Sequence, residues 1–492
     1  MNYATRLLVP ALTTALLFGC SEEFLDKPPL VDQTADTFFQ TADQAVQATN
    51  ATYGILRRFD VSVFSYIGMT DIVSDDADKG STPNDATFLR ELDDFVYDGS
   101  NSAPGAVWGG YYKGVFRANL SLQRIPEVEM DEGLRTRLLA ENHFLRAYFY
   151  FNLVRWFGDV PLITGELPPD QYEQPRTPAN EVYALIIDDL RFAADNLPEK
   201  SAYADEDLGR ATRGAANGLL SKVYLTRENW TEALERAESV IESGEYALLP
   251  EYSQIFLPEG EHSSGSVFEI GTVASNTTAG SSQFNQVQGV RGTPNLGWGF
   301  NRPSDDLVAA WPRNDPRRDA TIFTVGESLP DGSAVIVGDP GVVNQRQNQK
   351  AWIPGLSAAP QNGGGNIRIL RYADVLLIAA EAANELGDGE QALAYANLVR
   401  TRARGPLPKP FLPDLVGETQ EEIRAAIWLE RRLELAMEQH RWFDLVRQGR
   451  AAERMQAVGK ENFVEGKHEL LPLPQSEIDL SGGLLTQNPG YE

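Results

Sequence analysis

Cys20 is the only cysteine among the 492 residues of this chain. Without a second cysteine no intramolecular disulfide can form, so side-chain packing has to stabilise the folded state. The chain is long enough for this, because the fraction of surface buried on folding rises with length, and 42% of its residues are apolar. The fold must therefore be built around a packed core.

The residues before Cys20 have the pattern of a removable export signal. Arg6 is followed by an apolar run over residues 7–19, which is too short to span a bilayer and ends in a small residue. Residues 17–20, Leu-Phe-Gly-Cys, resemble a bacterial lipobox, in which the thiol is acylated before cleavage. We expect residues 1–19 to be removed and Cys20 to carry lipid, each buried CH₂ contributing about 0.8 kcal/mol. A plain signal peptide with an incidental cysteine is the alternative.

Residues 20–40 predict an acidic, extended linker, because Pro28 and Pro29 disfavour helix in this part of the chain. No later stretch approaches the roughly 20 apolar residues that a membrane helix needs. The lipid on Cys20 is therefore the expected anchor.

The charge of the chain excludes some classes of partner. Its 43 Lys and Arg and 70 Asp and Glu give a formal net charge of −27. A field of this sign repels the phosphate backbone of nucleic acids and anionic lipid headgroups. We expect no nucleic-acid partner.

Capping residues and apolar spacing predict a mainly α fold. The predicted helical scaffold covers about residues 41–58, 135–250 and 371–450. Within it, helices are expected at 41–58, 135–157, from Thr177-Pro178, at 211–226, 229–244, 372–386 and 389–403, and from Thr419 to about 447. Residues 211–244 and 372–403 each read as two helices joined by a tight turn, which suggests tetratricopeptide-like stacking of helix pairs.

Two stretches do not look helical by composition, about residues 60–110 and 257–366. The second is rich in Gly, Ser, Asn, Gln and Pro, and short runs such as residues 267–270 and 334–337 predict minor β-structure. Loops this long within a compact domain are usually functional. We therefore expect the ligand-binding face in these two stretches.

Several sequence blocks, taken in order, resemble the SusD/RagB family of outer-membrane nutrient-uptake lipoproteins. They are FLRAYFYFNLVRWFGDVP at 144–161, RYADVLL at 371–377, ERRLEL at 430–435, RWFDLVR at 441–447, LPLPQSEI at 471–478 and QNPGY at 487–491. Each block alone is weak, but the ordered set is specific, and the resemblance runs from Cys20 to the end of the chain.

The resemblance implies that residues 41–492 form a single domain, a tetratricopeptide-like scaffold with a looped ligand face. It also implies that the protein is anchored to the outer membrane by lipid and faces the cell exterior. It further implies a glycan ligand and a partner transporter, a SusC-like TonB-dependent barrel over which the protein acts as a lid. A peptide or other nutrient is the alternative ligand. The family transfers no fixed set of ligand-binding residues, because its members bind different glycans.

The chain shows no motif for catalysis, a metal or a cofactor. The histidines, at positions 143, 262, 440 and 468, have no metal-binding spacing, and no nucleophile elbow, phosphate loop or dinucleotide fingerprint is present. We expect a binding protein and not an enzyme, with no metal and no cofactor. A glycoside hydrolase stays open, because 70 acidic residues always include suitable carboxylate pairs.

Two charged segments are interpreted as structural. Asp71, Asp75, Asp76 and Asp78 superficially resemble a calcium loop, but the glutamate expected twelfth from Asp76 is replaced by Thr, so a solvated turn is favoured. Glu438, Arg441, Asp444 and Arg447 step by three residues and are expected to form ion pairs along one helix.

Loop aromatics are the candidate ligand contacts, because sugars present apolar faces surrounded by hydroxyls. The predicted aromatic contacts are Phe64, Tyr66, Phe284, Trp298, Phe300 and Trp352. Their polar neighbours Asn285, Arg291, Asn295 and Asn301 are expected to supply hydrogen bonds. A pure interaction scaffold, whose aromatics bind no ligand, is the remaining alternative.

Overall fold

The computed structural model describes residues 38–274, 280–356 and 364–491. Cys20, the predicted signal segment and nearly all of the predicted linker lie outside the described residues.

The described chain is mainly helical. Its helices up to residue 260 are α1 (Ala42–Leu56), α2 (Phe59–Ser62), α3 (Phe64–Ile67), α4 (Thr87–Asp93), α5 (Ser102–Arg124), α6 (Glu132–Phe157), α7 (Ala179–Asn196), α8 (Arg213–Thr226) and α9 (Trp230–Glu242). Those beyond it are α10 (Phe284–Gln288), α11 (Asp305–Ala310), α12 (Pro316–Thr321), α13 (Tyr372–Glu385), α14 (Gly389–Arg404), α15 (Gln420–Glu434), α16 (Arg441–Arg447), α17 (Ala451–Ala457) and α18 (Gln475–Leu480). A π-helical turn (Gly68–Ile72) follows α3, and 3₁₀ turns occur at Ile125–Glu127, Pro169–Gln171, Lys200–Ala202, Asp205–Asp207, Tyr252–Phe256, Pro258–Gly260, Gln349–Ala351 and Lys409–Phe411.

The strands form small antiparallel pairs. They are β1 (Ala77–Gly80), β2 (Ser266–Ile270), β3 (Phe300–Pro303), β4 (Ile322–Phe323), β5 (Gln347–Asn348) and β6 (Ile367–Arg371). In the described residues β1 pairs with β3, β2 with β6 and β4 with β5. The register of the first pair places Gly80 opposite Phe300. Strands from both predicted loop stretches therefore meet in this pair.

The predicted stack of helix pairs is confirmed. Helices α6 and α7, α8 and α9, and α13 and α14 pack as neighbours, and contacts of α7 with α8 and of α9 with α13 join the pairs. One large hydrophobic cluster includes fully buried aromatic rings of α5 and α6, such as Tyr111 and Trp156. The side chains of Thr41 and Thr419 accept from the backbone N–H of Gln44 and Glu422, whose side chains accept in return, as the capping boxes predict.

The prediction that residues 60–110 are free of helix is wrong. Helix α5 begins at Ser102, where the side chain of Asn101 accepts from the N–H of Ala103. Glycines lower the helix propensity of this segment, but two of them permit close packing. A Cβ on Gly110 would lie 2.8 Å from Val61, and one on Gly114 would lie 2.4 Å from the Phe149 ring. Tertiary contacts thus select the helix.

The prediction of one helix from Thr419 to about residue 447 is also wrong, because α15 ends at Glu434 and α16 begins at Arg441. Between them Met437 and Gln439 have φ angles of 62° and 63°. The backbone N–H and side-chain amide of Gln439 donate to the Asp71 carboxylate at 3.0 and 2.7 Å. Partners distant in sequence therefore interrupt the helix.

The charged residues predicted to alternate along this helix are structural, but they are buried and most have other partners. Arg447 pairs with Asp444 at 2.9 Å as expected. Glu438 lies before α16 and pairs with Arg371 of β6 at 2.6 Å. These pairs fix the segment between α15 and α16 against the core.

Carboxylates of the acidic segment connect the first third of the chain to the last helices. Arg441 donates two hydrogen bonds to Asp75, at 2.7 and 2.8 Å, and Arg454 donates a third at 2.8 Å. Arg432 donates to Asp76 at 2.7 Å. We call these five residues the arginine–aspartate network. The prediction of a solvated turn is wrong, because both aspartates are only 1% exposed.

Electrostatics differ between the aspartates of this segment. Burial alone would raise the pKa of Asp75, but the hydrogen bonds and charges of Arg441 and Arg432 keep it well below its usual range. For Asp71, burial raises the pKa to about 6, although hydrogen bonds from Asn301 and Gln439 oppose the shift. Asp75 is thus ionised at neutral pH, because the arginines around it compensate for the hydration that it loses on burial.

We expect Gly114→Ala to lower the free energy of unfolding by about 1–3 kcal/mol, because the new methyl group overlaps the Phe149 ring. Gly109→Ala on the same helix is the matched control, since a Cβ there meets nothing within 4 Å. Alanine is favoured over glycine in a helix by about 1 kcal/mol, so the control should be neutral or stabilising. Denaturant unfolding followed by circular dichroism measures both; equal destabilisation would contradict the packing argument.

We expect Arg441→Met to lower the free energy of unfolding by about 3 kcal/mol, because it removes two hydrogen bonds from a buried carboxylate. Arg318→Met is the control: this side chain is 40% exposed and pairs with Asp319 at 3.2 Å, so its loss should cost less than about 1 kcal/mol. If denaturant unfolding shows the same small change for both variants, the network contributes little to stability.

Candidate functional site

Aromatic rings from two distant parts of the chain meet at the surface. The ring centroid of Phe64 lies 5.6 Å from that of Phe59 and 5.9 Å from that of Trp298. The centroids of Phe59 and Trp298 are 6.5 Å apart. Phe88 packs on Phe64 at 5.4 Å with its ring edge-on. Phe59 is 41% exposed, and the other three are half-buried. We call these four residues the aromatic surface.

Short helices place Phe59 and Phe64. Helix α2 can lie directly against α5 because Gly110 has no Cβ, which would meet Val61 and the Asp60 carbonyl at 2.8 and 3.1 Å. Val61 and Val63 are fully buried between the two phenylalanines in sequence. Burial of the valines fixes α2 and α3 and leaves the Phe59 ring at the surface.

A loop closed at its base places Trp298. The N–H of Gly299 donates to the Gly289 carbonyl at 3.0 Å, and that of Trp298 donates to the Gln286 carbonyl at 2.9 Å. A Cβ on Gly297 would lie 2.3 Å from the Gln286 carbonyl oxygen. We call residues 289–299 the closed loop. Its backbone hydrogen bonds fix the indole against Phe59 and Phe64.

Two ion pairs involve residues that flank Phe59 in sequence or belong to the closed loop. Arg58 donates two hydrogen bonds of 2.8 Å to Asp60, next to Phe59. Arg291 of the closed loop pairs with Asp339 at 2.9 Å and lies 3.3 Å from the Ser81 hydroxyl. The site thus combines flat apolar faces with hydrogen-bonding groups at its edges. This combination suits a ligand that has apolar faces and hydroxyl groups.

The structure brings together some of the predicted contact residues. Phe64 and Trp298 belong to the aromatic surface, and Arg291 and Asn295 lie in the closed loop beside it. Phe300 packs beneath Phe64 at 4.8 Å and is 2% exposed. The ligand-binding role of the accessible residues stays a prediction.

Five predicted contact residues are buried, and four of them make the following packing or hydrogen-bond contacts inside the protein. Phe300 lies beneath the surface, and Tyr66 packs edge-on against Trp156 at 5.9 Å. Asn301 is fully buried and donates to Asp71 and Gln288. Trp352 is 4% exposed in a separate small core. The loops have hydrophobic clusters of their own, which composition alone does not reveal.

Two further predicted residues lie apart from the aromatic surface. Phe284 is half-buried beside an internal cavity, and Asn285 is buried and donates to the Ala351 carbonyl at 3.0 Å. Conversely, sequence reasoning missed Phe59 and Phe88. The cluster of phenylalanine and valine at residues 59–64 was a usable signal for the first of them.

Two cavities elsewhere in the described part of the chain are too small for an oligosaccharide. The cavity between Tyr148 and Lys222 has a volume of about 20 Å³, and the cavity beside Phe284 and Lys350 has a volume of about 30 Å³. Each has room for one or two waters. A groove of about 320 Å³ between α7, α8 and α9 is lined by charged, amide and hydroxyl side chains and has no aromatic ring. The aromatic surface therefore fits the predicted ligand class best.

Over the described ranges, no group of three or more His, Cys, Asp and Glu side chains is placed to bind a metal ion. None of the helices in this part of the chain combines the length and apolar character needed to cross a membrane.

Comparisons with known proteins agree with this architecture. Residues 265–491 match a family model described as the SusD family, and residues 23–225 match a second model described as "Starch-binding associating with outer membrane". SusD-like protein P2 of Formosa agariphila is 30% identical, and the match covers 100% of each chain.

Solved structures show the same fold. A laminarin binding SusD-like protein is 30% identical, with a TM-score of 0.78, and the match covers 92% of this chain and 100% of that one. Surface glycan-binding protein A from Bacteroides thetaiotaomicron, in complex with laminarihexaose, is 26% identical, with a TM-score of 0.76 and coverage of 91% and 100%.

Proposed function

The chain belongs to the SusD family, and from this premise we propose that it captures a glycan on the aromatic surface without cleaving it. The protein is tethered to the outer face of the outer membrane through lipid on Cys20. It passes the bound glycan to a SusC-like TonB-dependent transporter that it covers as a lid.

The observation that carries the proposal is the meeting of Phe59, Phe64 and Trp298 at one accessible surface. Pyranose rings stack on flat aromatics through their C–H faces and use their hydroxyls for hydrogen bonds. Two structural neighbours are described with laminarin and laminarihexaose. Laminarin is therefore the first ligand to test on this chain.

The size of the surface predicts weak, reversible binding. Covering one aromatic ring is worth about 1.5–3 kcal/mol at most, before the cost of ordering the ligand is subtracted. Two or three rings then give a binding free energy of about −8 to −4 kcal/mol, which corresponds to dissociation constants in the micromolar to millimolar range. Affinity in this range allows the glycan to be released to a transporter.

We expect Trp298→Ala and Phe59→Ala each to weaken laminarin binding by about tenfold, because each removes one stacking face. Phe411→Ala is the matched control, since Phe411 is 49% exposed on a distant 3₁₀ turn, compared with 41% for Phe59. Affinity electrophoresis and calorimetry measure the change, with soluble starch, hydroxyethyl cellulose and a peptide library tested in parallel. Binding of peptides alone, or glycan affinity unaffected by either variant, would contradict the proposal.

Long incubation of the protein with a bound glycan should release no shorter products, because the proposed site binds without catalysing a reaction. Chromatography of the incubated glycan measures this. Turnover that is abolished by one Asp or Glu substitution would instead indicate a hydrolase.

We expect Cys20→Ala to release the exported protein from the membrane fraction, because it removes the acylated thiol. Fractionation of cells, with mass spectrometry of the mature N-terminus, measures the anchor. Retention of the variant in the outer membrane would contradict a lipid tether.

A further inference from the structure

The charges around the aromatic surface are already paired with one another. Arg58 is 43% exposed, yet both oxygens of Asp60 accept from it at 2.8 Å. Arg291 is 32% exposed and faces Asp339 at 2.9 Å and Asp85 at 3.6 Å. Each guanidinium that a ligand could reach at these positions therefore has a carboxylate within 4 Å.

Two neighbouring cations also have partners, Lys79 with backbone carbonyls and Arg90 with a carboxylate. Lys79, whose Nζ lies 5.5 Å from the Phe300 ring centroid, donates to the carbonyls of Thr82 and Asp85 and is 4% exposed. Arg90, two residues after Phe88, pairs with Asp94 at 3.2 Å. Arg57, which precedes Arg58, is half-buried and has no ion pair within the described residues, so it is the exception among these cations.

A paired guanidinium and carboxylate treat neutral and anionic ligands differently. A hydroxyl group both donates and accepts, so it can bind to both halves of such a pair. A sulfate or carboxylate only accepts, and on reaching the guanidinium it approaches the carboxylate that is already there. Like charges placed this close are unfavourable even when an exposed ion pair itself contributes little stability.

We propose that Asp60 and Asp339 are specificity-determining residues, which make the aromatic surface select neutral glycans and reject sulfated or uronic-acid glycans. This inference rests on the proposed function, because it assigns the ligand class of the same site. The repulsive element is the carboxylate of each pair, and the net charge of −27 on the whole chain adds to it.

The test compares laminarin, soluble starch and hydroxyethyl cellulose with sulfated laminarin, sulfated starch and cellulose sulfate. Calorimetry is performed on the full mature chain at low salt, about 10 mM, and at high salt, about 1 M. We expect the sulfated form of the bound glucan to bind about tenfold more weakly at low salt, and this difference to shrink at high salt. Binding of the neutral glucan should not depend on salt.

Charge-removing variants identify the residues responsible. We expect Asp60→Asn and Asp339→Asn each to reduce the ratio of neutral to sulfated affinity by about fivefold, because each removes the carboxylate closest to one guanidinium. Asp60→Asn leaves Arg58 without this partner, and Asp339→Asn leaves Arg291 with Asp85 at 3.6 Å. Glu390→Gln is the control: it removes the same charge from an exposed position on α14, and it should not change the ratio. Two independent variants and a ratio as the readout separate selectivity from a general loss of folding.

The outcomes distinguish the two proposals. If none of the six glucans binds, the proposed function is overturned, and this inference with it. If a sulfated glucan binds as tightly as its neutral form at low salt, or more tightly, glycan binding stands and the selectivity is overturned. An unchanged ratio in both aspartate variants also overturns the assignment to Asp60 and Asp339.

Discussion

Pairing of buried aspartates with arginines distant in sequence is the constraint on which the rest of the structure depends. Asp75 and Asp76 lie just before β1, and the arginines that neutralise them belong to α15, α16 and α17. A buried charge without its partner is strongly unfavourable. The aspartate segment before β1 can therefore be buried only when the arginines of α15, α16 and α17 are in place. Strand β1 then pairs with β3, which places Phe300 beneath the aromatic surface.

Local signals predicted most of the helical scaffold. The capping residues at Thr41 and Thr419 and the turn between α13 and α14 were readable because their partners lie within a few residues. Helix α5 was missed because its glycines look like loop residues until Val61 and Phe149 are placed against them. The break after α15 was missed for the same reason, since Gln439 adopts its left-handed backbone to bind Asp71, which is 368 positions away.

The general location of the aromatic surface was predicted from the sequence, but its individual residues were not. Loop composition pointed to Phe64 and Trp298, which lie in the aromatic surface, but it also pointed to Trp352, Tyr66 and Phe300, which are buried. A helix or strand shows by its periodicity which side chains face inward, whereas an irregular segment carries no such signal. Only the tertiary contacts distinguish a ring that supports the surface from one that forms it, and they also reveal Phe59.

The base of the closed loop has a consequence for how such proteins diversify. Hydrogen bonds between Gly289 and Gly299 and between Trp298 and Gln286 fix the two ends of the segment independently of what lies between them. Residues at its tip can be exchanged, inserted or deleted while the indole keeps its position. Related chains can thus vary the tip of this loop while the tryptophan at its base keeps its place in the aromatic surface.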